Sequence, residues 1–303
     1  MRACVPVIVL SVCLSATTGA SAQLTPESGV SERGRVLVRE LTYGRYLQYI
    51  PSQLASPVRI AVLVHGTLGK NVSALAVAER FIKRWIPEAE KRKLVFLAPA
   101  FDQENFGGRE GPGGGYRGLF GRRIGADEFV NRIVNQYRSV WPSFDGKIYL
   151  YGHSAGGQFV SRYVVMHPER VRAAVISAAG TFAFPNPDVP WTDGMRRLQR
   201  TMQWGESDEP KRIDIQPDPE KWLTAATLPI TAVIGSRDTE ETNAIPGQEG
   251  RTHMERARRW VAAMNRFARD HQKVGRVRLA VVEGVGHSSV QLAPVCIGHL
   301  FRE

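Results

Sequence analysis

The alternation of apolar, strand-like runs with amphipathic stretches is the feature that most restricts how this chain can fold. Residues 59–64 form a nearly continuous apolar run, as expected of a strand buried on both faces. In the stretch 72–91 that follows, Leu75, Ala78 and Ile82 recur at the three- and four-residue spacing of one helix face. The alternation continues along the chain, so we predict an α/β fold with a mostly parallel sheet and helices on both faces.

Eight strands and five longer helices follow from this pattern. The strands are expected at residues 35–40, 46–50, 59–64, 94–98, 147–151, 173–177, 230–235 and 277–283. The helices are expected at residues 72–91, 127–140, 158–166, 251–270 and 288–299. A Gly-rich segment, 107–121, and a Pro-rich segment, about 181–228, interrupt the alternation. Strands continue after each of them, so we expect an active-site loop and a cap rather than linkers.

The first residues have the pattern of an export signal. Arg2 precedes a short apolar run over 5–14, and Ala20-Ser21-Ala22 resembles a cleavage site. We therefore predict a signal peptide at 1–22 and a secreted mature chain, 23–303, that forms one domain. The apolar run is too short to cross a bilayer, and no later segment is expected to do so.

The number and positions of the cysteines indicate a core that is held together without disulfides. The sequence has three, and Cys4 and Cys13 lie within the predicted signal peptide. The mature chain keeps Cys296 alone, so it cannot form an internal disulfide. We expect Cys296 to be an unreactive packing residue in an apolar C-terminal helix.

The motif Gly152-His153-Ser154-Ala155-Gly156, followed by Gly157, points to a chemical function. It lies between the predicted strand 147–151 and the predicted helix 158–166. A G-x-S-x-G sequence in that context forms a sharp turn, called the nucleophile elbow, that presents a serine at the carboxyl edge of a sheet. Ser154 is therefore the predicted nucleophile.

A serine hydroxyl is a weak nucleophile and needs a base that an acid orients. In chains with this elbow, the acid and then the histidine follow the serine. Asp238 follows the predicted strand 230–235 and is the candidate acid, with Glu240 and Glu241 as alternatives. His287 follows the strand 277–283 and is the candidate base.

The remaining histidines fit the role of base less well. His153 lies inside the elbow, where we expect the turn to direct its side chain elsewhere. His65 is expected to support a loop, and His253 lies on or beside an Arg-rich surface helix.

Acyl transfer also needs hydrogen-bond donors for the oxyanion that forms on the substrate. The backbone N–H of Ala155, directly after the nucleophile, is one candidate. The other is expected from the loop after the strand 59–64, where we predict the N–H of Thr67, with Leu68 as the alternative.

The charge balance is strongly basic, with 40 Lys and Arg against 29 Asp and Glu and a net charge of +11. We predict no nucleic-acid partner, because no recognition motif accompanies the charge. The Gly-rich segment carries four arginines that could attract anionic substrates or only keep the protein soluble: Arg109, Arg117, Arg122 and Arg123. Arg122, Arg123 and, in the cap, Trp191 are the candidate substrate contacts.

Metal and cofactor sites are not predicted. The sequence has no H-E-x-x-H, paired C-x-x-C or Asp-rich calcium loop. Residues 113–118 match G-x-G-x-x-G, but they do not open a helix directly after a strand, so a dinucleotide site is not expected.

The sequence resembles the α/β-hydrolase superfamily. The resemblance rests on Val64-His65-Gly66, on the motif from Gly152 to Gly157, on Asp238 and on His287, and it spans the chain from about residue 35 to the end. Residues 45–51 and the His-Gly loop are similar to those of secreted esterases and of polyester depolymerases of the polyhydroxybutyrate type. Poly(aspartic acid) hydrolases are similar to the same group.

We therefore predict a secreted serine hydrolase that cleaves a carboxylic ester of a small molecule or polymer. The alternatives are an amidase acting on an acidic polymer such as poly(aspartic acid), and a polyhydroxyalkanoate depolymerase. A non-catalytic binding protein on the same fold would lack one of Ser154, Asp238 and His287, and all three are present.

Overall fold

The computed structural model describes residues 31–107, 115–204, 208–239, 241 and 245–302, so the predicted signal peptide and Arg109 lie outside the described residues. Its centre is an eight-stranded sheet. The strands are β1 Val36–Leu41, β2 Gly44–Tyr49, β3 Ile60–Val64, β4 Val95–Ala100, β5 Ile148–His153, β6 Val171–Ser177, β9 Ile230–Gly235 and β10 Val277–Val282, while β7 Leu198–Met202 and β8 Lys211–Ile215 form a separate pair. Their order in the large sheet is β1-β2-β4-β3-β5-β6-β9-β10. Strands β1 and β2 are antiparallel, and the other six are parallel to one another. This confirms the predicted fold class.

Seven α-helices are present in the part of the chain that the structure describes. They are α1 Ala74–Arg92, α2 Gln103–Phe106, α3 Ala126–Val140, α4 Ala155–Met166, α5 Pro219–Ala226, α6 His253–Asp270 and α7 Ser289–Leu300. No helix among these residues is long and apolar enough to cross a membrane.

Alternate residues of the central strands supply two separate cores. In β3, Ile60, Val62 and Val64 belong to the cluster that packs against α3, α4, α5 and α6. Ala61 and Leu63 belong to the opposite cluster, with α1 and α7. The two-residue period of a strand directs successive side chains to opposite faces, so a strand apolar throughout is covered on both sides.

The C-terminal helix α7 contains Cys296, which is buried and not in a disulfide. Burial raises the pKa of its thiol to about 12. A thiol that stays protonated at neutral pH is a poor nucleophile, which agrees with the predicted packing role.

The segment between β6 and β9 contains more regular structure than its prolines indicate. It forms a two-stranded antiparallel sheet, β7 Leu198–Met202 and β8 Lys211–Ile215, followed by α5. Arg162 of α4 holds the start of this segment: its fully buried guanidinium donates to the Thr192 carbonyl at 3.0 Å and pairs with Asp193 at 3.0 Å. The segment predicted to be a cap is therefore fixed to the helix that follows Ser154.

Candidate active site

Ser154 occupies a sharp turn between β5 and α4. The strand ends at His153 and the helix begins at Ala155, three residues before the predicted start, so Ser154 is the single residue between them. Its backbone has φ 56° and ψ −116°, which is strained for a residue with a side chain. The Ser154 N–H donates to the Ser177 carbonyl of β6 at 2.8 Å, which holds the turn at the carboxyl edge of the sheet.

Two glycines of the motif make this turn possible. A Cβ at Gly152 would lie 2.1 Å from the Gly156 carbonyl oxygen. A Cβ at Gly156 would lie 2.3 Å from the Val64 carbonyl oxygen of β3. Any side chain at either position would push α4 away from the sheet. At Gly156, which lies in α4, this close packing outweighs the low helix propensity of glycine.

The loop after β3 passes directly beside the elbow. A Cβ at Gly66 would lie 3.4 Å from the Cβ of Ser154. Thr67 follows and is exposed, and Leu68 is half-buried. On the other side, Ala155 opens α4, and the N–H groups of the first helical turn have no intrahelical acceptor. The two predicted oxyanion donors, Ala155 and Thr67, are thus on segments that flank Ser154.

His65 fixes this loop, as predicted. Its Nε2 accepts a hydrogen bond from the Phe101 N–H at 3.1 Å, and its Nδ1 lies 2.7 Å from the Gly66 carbonyl oxygen. Burial lowers the pKa of His65 to about 4, so the ring is neutral at pH 7. A neutral ring that donates from Nδ1 and accepts at Nε2 satisfies both contacts.

Asp238 and His287 meet at the ends of β9 and β10. Nδ1 of His287 lies 2.7 Å from Oδ2 of Asp238. The Asp238 side chain is 1% exposed, whereas that of His287 is 37% exposed and so accessible to a substrate. This hydrogen bond holds the proton on Nδ1 and leaves Nε2 of His287 to accept one, which is the tautomer that a general base needs.

The alternative acids are placed differently or not described. Glu241 is exposed and forms a β-bridge with Thr252, and Glu240 lies outside the described residues. Among the described residues, Asp238 is the carboxylate that hydrogen-bonds to His287.

His253 also binds Asp238, and sequence analysis missed it. Its Nδ1 lies 2.9 Å from Oδ1 of Asp238, and the residue is buried at the first position of α6. His253 lies on the predicted Arg-rich helix, but the prediction did not include the burial of its side chain or its contact with Asp238. The N-terminus of a helix that follows a parallel strand lies near the carboxyl edge of the sheet, and that placement was the available signal.

Two effects on Asp238 oppose each other. Burial favours the protonated acid, but the hydrogen bonds from His253 and His287 outweigh it and hold the pKa of Asp238 below its usual value. The carboxylate is therefore charged at neutral pH, and it favours the imidazolium form that His287 adopts when it takes a proton.

His153 likewise lies closer to the site than expected. Its ring centroid is 5.0 Å from that of His287, and its Nδ1 lies 3.1 Å from Oγ of Ser177. Burial, together with repulsion from His287, lowers the pKa of His153 to about 3, so it packs against the base as a neutral ring.

Among the described residues, one group has ligand atoms close enough to hold a metal ion. These atoms lie within 4.8 Å of one another and belong to Asp238, His253 and His287. The Nδ1 atoms of both histidines are directed at the oxygens of Asp238. The hydrogen bonds account for this geometry, and we assign the three residues no metal.

The arginines of the Gly-rich segment are placed differently from the prediction. Arg122 pairs with Asp208, and Arg123 lies over the ring of Tyr43 in the turn between β1 and β2. Arg117 is the arginine that reaches the loop beside Ser154, because its Nη2 donates to Oγ1 of Thr67 at 3.1 Å. The charge of Arg122 is compensated and Arg123 is held against Tyr43, so Arg117 replaces both as the candidate substrate contact.

The structure also differs from the prediction at Trp191. This residue is 3% exposed and belongs to the core cluster beneath α4 and α6. With so little exposed surface, Trp191 is a packing residue of the segment between β6 and β9 and has little area left to contact a substrate.

Solved structures of other proteins have a similar architecture. The chain is similar to LpqC, a poly(3-hydroxybutyrate) depolymerase from Bordetella parapertussis, with a TM-score of 0.69 and 22% identity over 92% of this chain and 94% of that one. It is similar to poly(aspartic acid) hydrolase-1 from Sphingomonas sp. KT-1, with a TM-score of 0.66 and 19% identity over 88% and 98%. These likenesses show a shared fold.

A third similar structure is acetyl xylan esterase from Aspergillus awamori, with a TM-score of 0.50 and 13% identity over 88% of this chain and 100% of that one. The comparison with curated proteins gave no match. The Alpha/beta hydrolase family matches residues 61–295, from β3 to within α7. Because this match covers well over half of the sequence, the chain belongs to the Alpha/beta hydrolase family.

Proposed function

We propose that this protein is a serine hydrolase that cleaves carboxylic esters through a covalent acyl-enzyme. The observation that carries the proposal is the hydrogen bond from Nδ1 of His287 to the buried carboxylate of Asp238. The ring of His287 packs on His153, the neighbour of Ser154 in the strained elbow. Membership of the hydrolase family supports a hydrolytic reaction.

In the first half of the reaction, Oγ of Ser154 attacks the ester carbonyl carbon while Nε2 of His287 takes the hydroxyl proton. The N–H groups of Ala155 and Thr67 bind the oxyanion of the tetrahedral intermediate. The intermediate then collapses, the bond to the alcohol oxygen breaks, and His287 donates its proton to the leaving alcohol. Asp238 stabilises the imidazolium between these two transfers.

In the second half, a water molecule attacks the acyl carbon of the acyl-enzyme and gives a proton to His287. The second tetrahedral intermediate releases the carboxylic acid and returns the proton to Ser154. The same base and the same oxyanion donors serve both halves, so the proposal needs no cofactor.

Covalent labelling with an alkyl fluorophosphonate tests this proposal. Ser154 should displace fluoride and gain the phosphonyl group, because the reagent forms a tetrahedral adduct like the one that His287 and the oxyanion donors stabilise. Peptide mass spectrometry should find the label on Ser154 in the wild type and no label in Ser154→Ala. Ser139→Ala is the matched control, since Ser139 is an exposed serine on α3. A label on another residue, or labelling that survives in Ser154→Ala, would contradict the proposal.

We also propose that the protein is exported, with residues 1–22 removed as a signal peptide. The basic start and the Ala20-Ser21-Ala22 site support this. The intact mass of the labelled protein, expressed with its native N-terminus, tests it in the same experiment. A mass that still includes residues 1–22 in the exported fraction would contradict it.

An acidic polymer is the second candidate substrate, as an ester or an amide, and Arg117 favours it. The Arg117 guanidinium contacts Thr67, and it has no ion-pair partner among the described residues. An anionic group on the substrate would therefore meet a cation beside the proposed oxyanion site. The solved poly(aspartic acid) hydrolase with this fold cleaves such a polymer.

Arg117→Gln should lower kcat/KM for a carboxylate-bearing aryl ester by about three- to tenfold, the order expected for one partly screened charge near the substrate. Added salt should reduce wild-type kcat/KM for the same ester and leave a neutral ester of similar size nearly unchanged. Kinetics at several salt concentrations measure both effects. Arg123→Gln is the matched control, because Arg123 stacks over Tyr43 and should leave both esters unaffected. Equal salt slopes for the two esters would reject the anionic substrate.

A further inference from the structure

Asp238 has two imidazole partners, and the proposed mechanism uses one of them. His287 binds Oδ2 at 2.7 Å, and His253 binds Oδ1 at 2.9 Å. The ring centroids of the two histidines are 5.4 Å apart. A serine, a base and an acid suffice for the reaction, so the second histidine needs a separate explanation.

The second imidazole is held rigidly. His253 is buried and opens α6, and Oγ1 of Thr252 caps that helix by accepting from the Glu255 N–H at 3.1 Å. One turn later, Arg256 donates to the Gly180 carbonyl at 2.8 Å, which ties the helix to the segment after β6. These contacts anchor the backbone that carries His253, and the hydrogen bond to Asp238 holds its buried ring at the sheet edge.

A fixed donor has two effects on a buried carboxylate. It satisfies the oxygen that His287 does not use, and a buried carboxylate oxygen without a partner is unfavourable. It also restricts rotation of the carboxylate about the Cβ–Cγ bond, so that Oδ2 stays in line with His287. When preorganised groups hold a base in line, less free energy is spent on orienting it as the transition state forms.

We propose, on the basis of the ester hydrolysis proposed above, that His253 is a positioning residue: it donates Nδ1–H to Oδ1 of Asp238 and thereby orients the carboxylate that orients His287. His253 touches no reacting atom in this role. It acts through Asp238 on the step in which His287 moves the proton. The proposal therefore places the effect of His253 on kcat rather than on substrate binding.

The pair His253→Leu and His253→Asn separates this role from packing. The two side chains have nearly the same shape, but the amide nitrogen of Asn can take the position of Nδ1 and donate, whereas Leu cannot. His253→Leu should lower kcat by about 10- to 100-fold, the loss expected when a hydrogen bond to a charged group is removed. KM should stay within about twofold, and His253→Asn should keep kcat within about threefold of the wild type.

A double-mutant cycle adds a second criterion. In the Asp238→Asn background the oriented carboxylate is absent, so His253→Leu should lower kcat little further. An additive loss in that background would overturn the proposal, because it would place the effect of His253 on another group.

Other outcomes would also overturn it. Equal losses in His253→Leu and His253→Asn, a wild-type kcat in His253→Leu, or a loss confined to KM would each do so. Failure of both variants to fold, judged by circular dichroism and thermal unfolding, would assign His253 to the core instead. The proposed function fails separately, if the wild type is not labelled at Ser154 by the fluorophosphonate. Labelling at Ser154 together with an unaffected His253→Leu would reject only the positioning role.

Discussion

Replacement of Ser154 by Ala is expected to reduce kcat by about 10⁶-fold, the order found when the nucleophile of a serine triad is removed. The physical reason is that the proposed acyl-enzyme forms on Oγ of Ser154, which this substitution removes. The residual rate should reflect the oxyanion donors and binding alone. Steady-state kinetics on a chromogenic ester measure the loss, and retention of more than about a tenth of the wild-type rate would show that Ser154 is not the nucleophile.

The stability of two variants at this position provides a check on the fold. Ser154→Ala keeps the strained backbone with φ 56°, so its Tm should match that of the wild type. Ser154→Gly should be equally inactive but should raise Tm by a few degrees, because glycine adopts this conformation without the roughly 1–3 kcal/mol that a side chain costs there. A lower Tm in Ser154→Gly would indicate that the turn is not strained. Calorimetry separates these results from the loss of activity.

Replacement of Asp238 by Asn is expected to lower kcat by about 10⁴-fold. An amide in place of the carboxylate no longer stabilises the imidazolium of His287. Its NH₂ group can also donate to Nδ1, which would move the ring proton to Nε2 and leave the wrong tautomer for a base. Because these effects act on the proton transfer, KM should change far less than kcat.

Glu241→Gln is the matched control for this substitution. Glu241 is three positions further along the chain than Asp238, and it is exposed. Its backbone forms a β-bridge with Thr252. Its kcat should stay within about twofold of the wild type, as for most surface substitutions away from a site. If Glu241→Gln proved as damaging as Asp238→Asn, the acid would be misassigned.

The elbow could be recognised in the sequence because its requirements are local. A buried strand, one residue in a strained turn and a helix opening with small residues all lie within the motif around Ser154. The placement of Asp238 and His287 followed from a second simple rule, since each comes directly after a parallel strand. Strands that run in parallel end at one edge, so the residues after them come together there.

The contacts of His253 and Arg117 could not be predicted from the sequence in the same way. His253 is 15 positions from Asp238, and Arg117 is 50 positions from Thr67. Which partner each one meets depends on strand order and on the path of a long loop. Neither contact leaves a periodic pattern in the sequence, and arginine is a residue type that is usually found at the surface.

The sequence by itself determined the alternating elements, the sheet buried on both faces and the position of Ser154, since these depend on hydrophobic period and on steric limits within one turn. The tertiary structure alone decided that Asp238 has two histidine partners, that Arg122 is neutralised by Asp208, and that Trp191 belongs to the core. Those outcomes depend on which segments pack against one another after the chain has folded. A side chain's chemistry is set by its residue type, but its role here is set by the burial and the partners that long-range packing provides.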